Sequence, residues 1–316
     1  MTDPVHCLDY FFYGLRLRSP FSLQSLPAWP KSVSEDAPDI SLCFGETPDS
    51  ITNPLWSSPF VQIGGDRSAL VNISSVARLW IRSEIRVPHE TKIIVQKAPG
   101  VQLFEIETIL IGTVAGILLH LRSMLPLHAS CVVLDGRAIA FSGPCASGKS
   151  ALAAALVRCG AFLLSDDLCV SDFSNRAVRA AAGTTRVRLW PDVMDRFEVP
   201  PEQRLPTRLD HGKHAVAVPT AEASTWPLEL LVRIEAAGPD NEPVLVRQHG
   251  LPALFPFKEL VYQWEIGRSL GNRADQFRCL TAVADHAAIC TLRRTKDLDH
   301  LDQCADLILN AFRGGV

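Results

Sequence analysis

The sequence predicts an α/β fold whose first third is β-rich, and three observations carry that expectation. Residues 143–150 read Gly-Pro-Cys-Ala-Ser-Gly-Lys-Ser, a complete G-x-x-x-x-G-K-S loop between the apolar run 138–141 and the Ala/Leu-rich run 150–159. From about residue 106 onward, strand-like and helical runs alternate, as in a sheet that carries helices on its faces. Residues 8–105 instead hold short β-type runs separated by Pro/Ser/Asp-rich connectors. The expected organisation is a β-rich accessory domain over 1–105 and an α/β domain over 106–316.

In the first stretch, 10–17, 40–44, 76–85 and 92–96 read as strands, and 25–39 and 45–54 as turn-rich connectors. No catalytic constellation stands out there, so its expected role is partner recognition or homo-oligomer assembly. The apolar stretch 106–124 approaches membrane length. Thr108, Thr113, His120 and Arg122 interrupt it and acidic Glu105 and Glu107 mark its start, so it reads as a buried helix over 106–123 and not as a membrane span. A strand over 128–134, the turn Asp135-Gly136 and the strand entering the loop follow. After the loop helix come strands at 162–164, 168–171, 185–189, 214–218, 228–235 and 243–248. Pro191 suits the first turn of a short helix, and 276–287 and 297–313 close the chain as helices.

At 316 residues, with 47% hydrophobic and 21% charged residues, the chain has the composition of a folded protein with room for two domains. A net charge of −3 and the lack of a Lys/Arg stripe argue against a nucleic-acid footprint. The first residues (MTDPVHCLDYFF) lack the basic and long apolar regions of a secretory signal. Nine scattered cysteines with no C-x-x-C pair fit reduced thiols in the cytoplasm.

The loop itself implies nucleotide binding. Backbone N–H groups across Gly143, Pro144, Cys145, Ala146, Ser147 and Gly148 form a phosphate cradle, apart from the proline. Lys149 reaches the β/γ oxygens, and the Ser150 hydroxyl suits Mg²⁺. The helix over 150–159 aims its N-terminal dipole at the same anion. Cys145 is either a tolerated small loop residue or a point where oxidation would block entry. Asp166-Asp167 ends a short apolar strand behind the loop helix. Such a pair serves either as a turn or helix cap, or as a metal ligand plus a base for an incoming hydroxyl. Side chains adjacent on a strand point to opposite sides, so the two carboxylates should differ in role. Burial and the neighbouring Asp166 should raise the pKa of Asp167, with His128 retuning it. His128, heading the strand beside the loop, is either a partly buried histidine or the group that orients a catalytic carboxylate.

The span 127–170 (LHASCVVLDGRAIAFSGPCASGKSALAAALVRCGAFLLSDDLCV) resembles the catalytic core of the HPr kinase/phosphorylase family. Those enzymes have a P-loop domain of phosphoenolpyruvate-carboxykinase type and phosphorylate a protein serine. His128 stands 21 residues before Lys149, and Asp167 stands 18 after it, which is the family's spacing. The resemblance implies that Asp167 accepts the serine proton, Asp166 assists at the metal, Ser150 ligates Mg²⁺ and His128 pairs with Asp167, with ATP as donor and Mg²⁺ bridging its phosphates to Ser150, Asp166 and Asp167. The segment 179–197 (RAAAGTTRVRLWPDVMDRF) lacks the acidic family signature that supports phosphorylase activity. The RVRLWPD and GKHAVAV segments and YGLRLRSPF look like a divergent branch found with lasso-peptide pathways, whose members phosphorylate a serine, typically C-terminal, of a precursor peptide. Under that resemblance Arg188 and Lys213 are candidates for phosphate or peptide-carboxylate contacts; otherwise they are solvated surface charges. The expected activity is therefore an ATP- and Mg²⁺-dependent serine kinase acting on a peptide or small protein. An HPr kinase/phosphorylase and a nucleotide-binding sensor that transfers nothing are the alternatives.

Overall fold

The structure is a computed structural model, and it describes residues 7–30, 37–83, 90–172, 178–206, 212–238, 241–250, 253, 255 and 257–314. The expected strand over 76–85 and the connector over 25–39 each lie partly outside the described residues. The fold is mixed α/β, with three sheets among those residues.

Eight strands from Leu8 to Lys97 form the first sheet. Their order is Leu8–Phe12, Leu15–Ser19, Ile40–Phe44, Thr91–Lys97, Ala77–Ser83, Ala69–Ile73, Val61–Ile63 and Trp56–Ser57. Alternation sets its faces: along Thr91–Lys97, Thr91, Ile93 and Val95 are buried while the residues between them are partly exposed. The run expected as one strand over 10–17 is a hairpin. Tyr13 (φ 52°) and Gly14 (φ 88°) are both left-handed and split it. A bulky residue at positive φ is costly. Burial of the Tyr13 ring and a hydrogen bond from its hydroxyl to the Ile111 carbonyl (3.2 Å) offset that cost.

A helix runs from Leu103 to Leu121, with a π-helical turn over Leu110–Val114. Ile106, Leu110, Val114, Ile117 and Leu118 join the core of the first sheet. The helix is long and apolar enough to cross a membrane, with mean hydropathy 1.6 over its most apolar window, but 61% of that window is buried inside the molecule.

The second sheet positions the site. Arg137–Ser142, Thr225–Ala236 and Ala288–Arg294 run side by side and parallel, so their carboxyl ends share one edge. Ala129–Leu134 and then Phe162–Ser165 extend it antiparallel on one side, and Val244–Gln248 closes the other. The first residues of Thr225–Ala236 pair instead with Arg179–Ala181, which leads on to Cys169–Asp172 and Leu125–Leu127. Both faces of this sheet are apolar, as period-two alternation requires when helices cover each side. Val132 and Leu134 face the helices Lys149–Arg158 and Leu301–Gly314, while Cys131 and Val133 face the side of Arg273–His286. A third small sheet, Arg186–Leu189 with His214–Ala217 and Arg204–Leu205, stands beside the loop helix.

Candidate active site

The loop begins where the buried strand Arg137–Ser142 ends. A Cβ on Gly143 would come within 2.9 Å of the Ile234 carbonyl, so only glycine lets the chain leave the sheet there. Ala146 (φ 60°) and Gly148 (φ 98°) are left-handed, and Gly148 caps the helix Lys149–Arg158. This places the loop's N–H groups and the helix N-terminus on one concave surface, the geometry of an anion site. The helix is rich in alanine because it lies close on the sheet, and Ala151 through Leu156 are all buried.

Lys149 is buried (7% exposed) and its Nζ donates to the carbonyls of Gly143 (2.9 Å) and Pro144 (3.1 Å). Burial pushes its pKa down, and the charges of Asp167 and Asp166 act against that shift.

The strand Phe162–Ser165 ends in a bend at the two aspartates. The expected opposition of their side chains exists, but strand alternation is not its cause. Asp167 is left-handed (φ 70°), and this turns its carboxylate into the cleft while Asp166 stays beneath the helix start. Asp166 is 6% exposed. Its Oδ1 accepts from Ser130 Oγ (2.5 Å) and Ser150 Oγ (2.8 Å), and its Oδ2 from the Arg188 N–H (2.8 Å).

Asp167 is about half-exposed to the cleft (49%), with Oδ1 3.3 Å from His128 Nε2. His128 lies between the strands Leu125–Leu127 and Ala129–Leu134. It is held by its N–H to the Leu260 carbonyl (2.8 Å), by the Ser142 hydroxyl on its own carbonyl (3.2 Å), and by the Tyr262 ring edge-on at 5.7 Å. Desolvation pushes the Asp167 carboxyl up. The His128 hydrogen bond and the charges of His128, Lys149 and Lys213 outweigh it and hold the group below the ordinary carboxylate value. The expectation of a raised pKa is therefore corrected. The cations around Asp167 matter more than burial or its acidic neighbour.

His128, Cys145, Ala146, Ser147, Gly148, Lys149, Ser150, Asp167, Arg188 and Lys213 all line one cleft of about 520 Å³. Gly143 and Pro144 line a neighbouring cavity, and Asp166 sits behind Ser150. Lys213 Nζ stands 5.8 Å over the Trp190 ring, because the strand His214–Ala217 pairs Leu189 with His214. Among the described residues no cluster of three or more His, Cys, Asp or Glu is poised for a metal. The chain offers the Ser150–Asp166 pair, which suits Mg²⁺ when phosphate oxygens and waters complete the shell.

Five participants escaped the sequence reading. Ser130 anchors Asp166, and Trp190 forms part of the cleft wall. Arg294 and Lys296 line the cleft from the far end of the chain, and a basic cluster (RRTK, 293–296) ending a strand was the available signal. Tyr13 also approaches the aspartates through the amino-terminal hairpin, whose backbone is tied to Ala182 (Tyr13 N–H to O, 3.1 Å). Burial raises its hydroxyl pKa, and the charges of Asp167 and Asp166 raise it further.

A second cavity of about 620 Å³ adjoins the cleft and shares His128 and Cys145 with it. Trp56, Phe60, Thr113, Tyr262 and Trp264 form much of its wall.

No protein-family model matches the chain, and no curated protein matches it in sequence. Among solved structures, the HPr(Ser) kinase/phosphatase from Coxiella burnetii is similar over 60% of this chain and 97% of its own, at 12% identity and a TM-score of 0.33. A likeness of that size carries no weight for the chemistry.

Proposed function

We propose that the protein is an ATP-dependent serine kinase acting on a peptide or small protein. The observation that carries this reading is the convergence of the His128–Asp167 pair, Lys149 and the Ser150–Asp166 pair around one cleft. The loop N–H groups and Lys149 bind the β- and γ-phosphates of ATP. Ser150 and Asp166 would hold Mg²⁺ there, and the ion would supply positive charge to offset that of the phosphates. The acceptor hydroxyl oxygen forms its bond to the γ-phosphorus as the bond to the ADP oxygen breaks, and Asp167 takes the hydroxyl proton. His128 fixes the orientation of Asp167. A carboxylate held at low pKa is a weak base, but positioning and charge stabilisation dominate in a loose phosphoryl-transfer transition state.

The acceptor approaches through the second cavity, which opens on His128 and carries aromatic walls suited to a peptide. Residues 1–105 contribute Trp56 and Phe60 to that wall and serve acceptor recognition, and residues 106–316 carry the chemistry. Arg188 and Lys213 suit a C-terminal carboxylate beside the transferred group, which favours the C-terminal serine of a lasso-type precursor peptide. The nine free thiols suit the cytoplasm. Mass spectrometry after incubation with ATP and either a Ser-terminated precursor peptide or HPr tests this assignment. Phosphate on the peptide supports it, phosphate on HPr alone reassigns the acceptor, and phosphate on neither leaves a nucleotide sensor.

A further inference from the structure

Arg294 ends the strand Ala288–Arg294, which runs parallel to Thr225–Ala236 and so finishes on the same sheet edge as the phosphate loop. It is 4% exposed. Two of its three nitrogens are anchored to backbone: Nε donates to the Thr295 carbonyl (2.7 Å) and Nη2 to that of Asp297 (3.0 Å). Nη1 is buried and has no hydrogen-bond partner among the described residues. It lies against Gly148, where a Cβ would stand 3.2 Å from it, and Arg294 lines the cleft.

A guanidinium keeps its charge in proteins, so a buried N–H group without an acceptor calls for an anion. The two carbonyl bonds fix the plane of the group, leaving Nη1 preorganised. Its location also separates it from the catalytic end. In the sheet, Phe162–Ser165, which leads to the aspartates, lies on one side of the loop strand Arg137–Ser142, and Ala288–Arg294 lies on the other, beyond Thr225–Ala236. Lys296 and Leu298 line the cleft with Arg294 from the loop that follows its strand.

We propose that Arg294 is a nucleotide-binding residue whose Nη1 donates to a phosphate of the bound nucleotide remote from the transferred one, so that ADP and ATP share the contact. This inference rests on the reading of the cleft as a nucleotide site. Titration calorimetry with ADP and with ATP, each with Mg²⁺, on the full chain and on Arg294→Gln tests it. Loss of one buried charge-assisted hydrogen bond weakens binding about tenfold to a hundredfold, by the same factor for both nucleotides. Arg294→Lys recovers part of the loss at most, because an ammonium lacks the guanidinium's fork. Unchanged affinity in Arg294→Gln, or a loss confined to ATP, overturns the proposal. If the wild-type protein binds neither nucleotide, the reading of the cleft itself fails. A crystal structure of the wild-type ADP complex decides the matter without a variant. It should place Nη1 about 3 Å from a phosphate oxygen, and a gap beyond about 4 Å contradicts the assignment.

Discussion

Asp166 and Asp167 are identical neighbours, and replacing each with asparagine separates what they do. The Asp166 carboxylate accepts three hydrogen bonds in a buried site, from Ser130, Ser150 and the Arg188 N–H. An amide has one acceptor oxygen. If that oxygen turns to the fixed Arg188 N–H, the NH₂ group faces two hydroxyls, which must then find other acceptors. A hydrogen bond to a charged group contributes about 1.5–3 kcal/mol, and a buried donor left unpaired costs about 1–3 kcal/mol. Burying a neutral amide in place of a charge offsets part of this. The net expectation for Asp166→Asn is a loss of about 2–4 kcal/mol. Asp167 is half-exposed, and its φ of 70° lies in a region that asparagine tolerates well. Asp167→Asn should therefore change stability by less than about 1 kcal/mol. Urea denaturation measures both, alongside Mg²⁺-nucleotide titration. Asp166→Asn should lose stability and Mg²⁺-dependent affinity, whereas Asp167→Asn keeps both and loses transfer. Wild-type stability in Asp166→Asn, or a larger loss in Asp167→Asn, would refute the division of roles.

Three other outcomes follow from the packing. His120 is fully buried, and burial pushes its pKa from 6.5 down to about 4, so it folds as the neutral form. The unfolded chain takes up this proton first as pH falls, so the stability His120 contributes is complete above pH 6.5 and declines towards pH 4, by about 3 kcal/mol. Urea midpoints across that range should fall in the wild type and flatten in His120→Gln. Gly183→Ala places a methyl group inside the buried Tyr13 ring, and the resulting overpacking should cost about 1–3 kcal/mol in a thermal melt. Phe60 is 61% exposed at the second cavity, so the double change Trp56→Ala, Phe60→Ala should raise KM for a peptide acceptor several-fold while nucleotide affinity holds. An unchanged KM would remove the cavity from the acceptor path.

Much of the α/β half was legible because its signals are local. The apolar run, glycine loop and alanine-rich helix give the helix at Lys149–Arg158, and Pro191 takes the first turn of Pro191–Arg196. The amino-terminal half was harder to read. The strands Val61–Ile63 and Ala69–Ile73 are short, and the hairpin at Tyr13-Gly14 places a large aromatic where turn chemistry favours Asn or Asp. Only tertiary burial explains that choice. In the site, the loop motif brought out Lys149, the strand end behind the loop helix brought out the aspartates, and the family resemblance brought out His128. Ser130 joins through strand pairing, which no local pattern encodes, and Arg294 through the shared sheet edge, for which the basic run at 293–296 was the one local signal. The pKa of Asp167 went the other way because its sign depends on cations that meet only in the fold.

The central claim is transfer of the γ-phosphate of ATP to a serine with Asp167 as base. Its most direct test is label transfer from γ-labelled ATP to a Ser-terminated peptide, run on the wild type, Lys149→Ala and Asp167→Asn with nucleotide affinity measured on the same preparations. Label should appear on the serine with the wild type only, and Asp167→Asn should bind nucleotide undiminished. Full turnover by Asp167→Asn, or no transfer by a wild-type protein that binds ATP and the peptide, would contradict it.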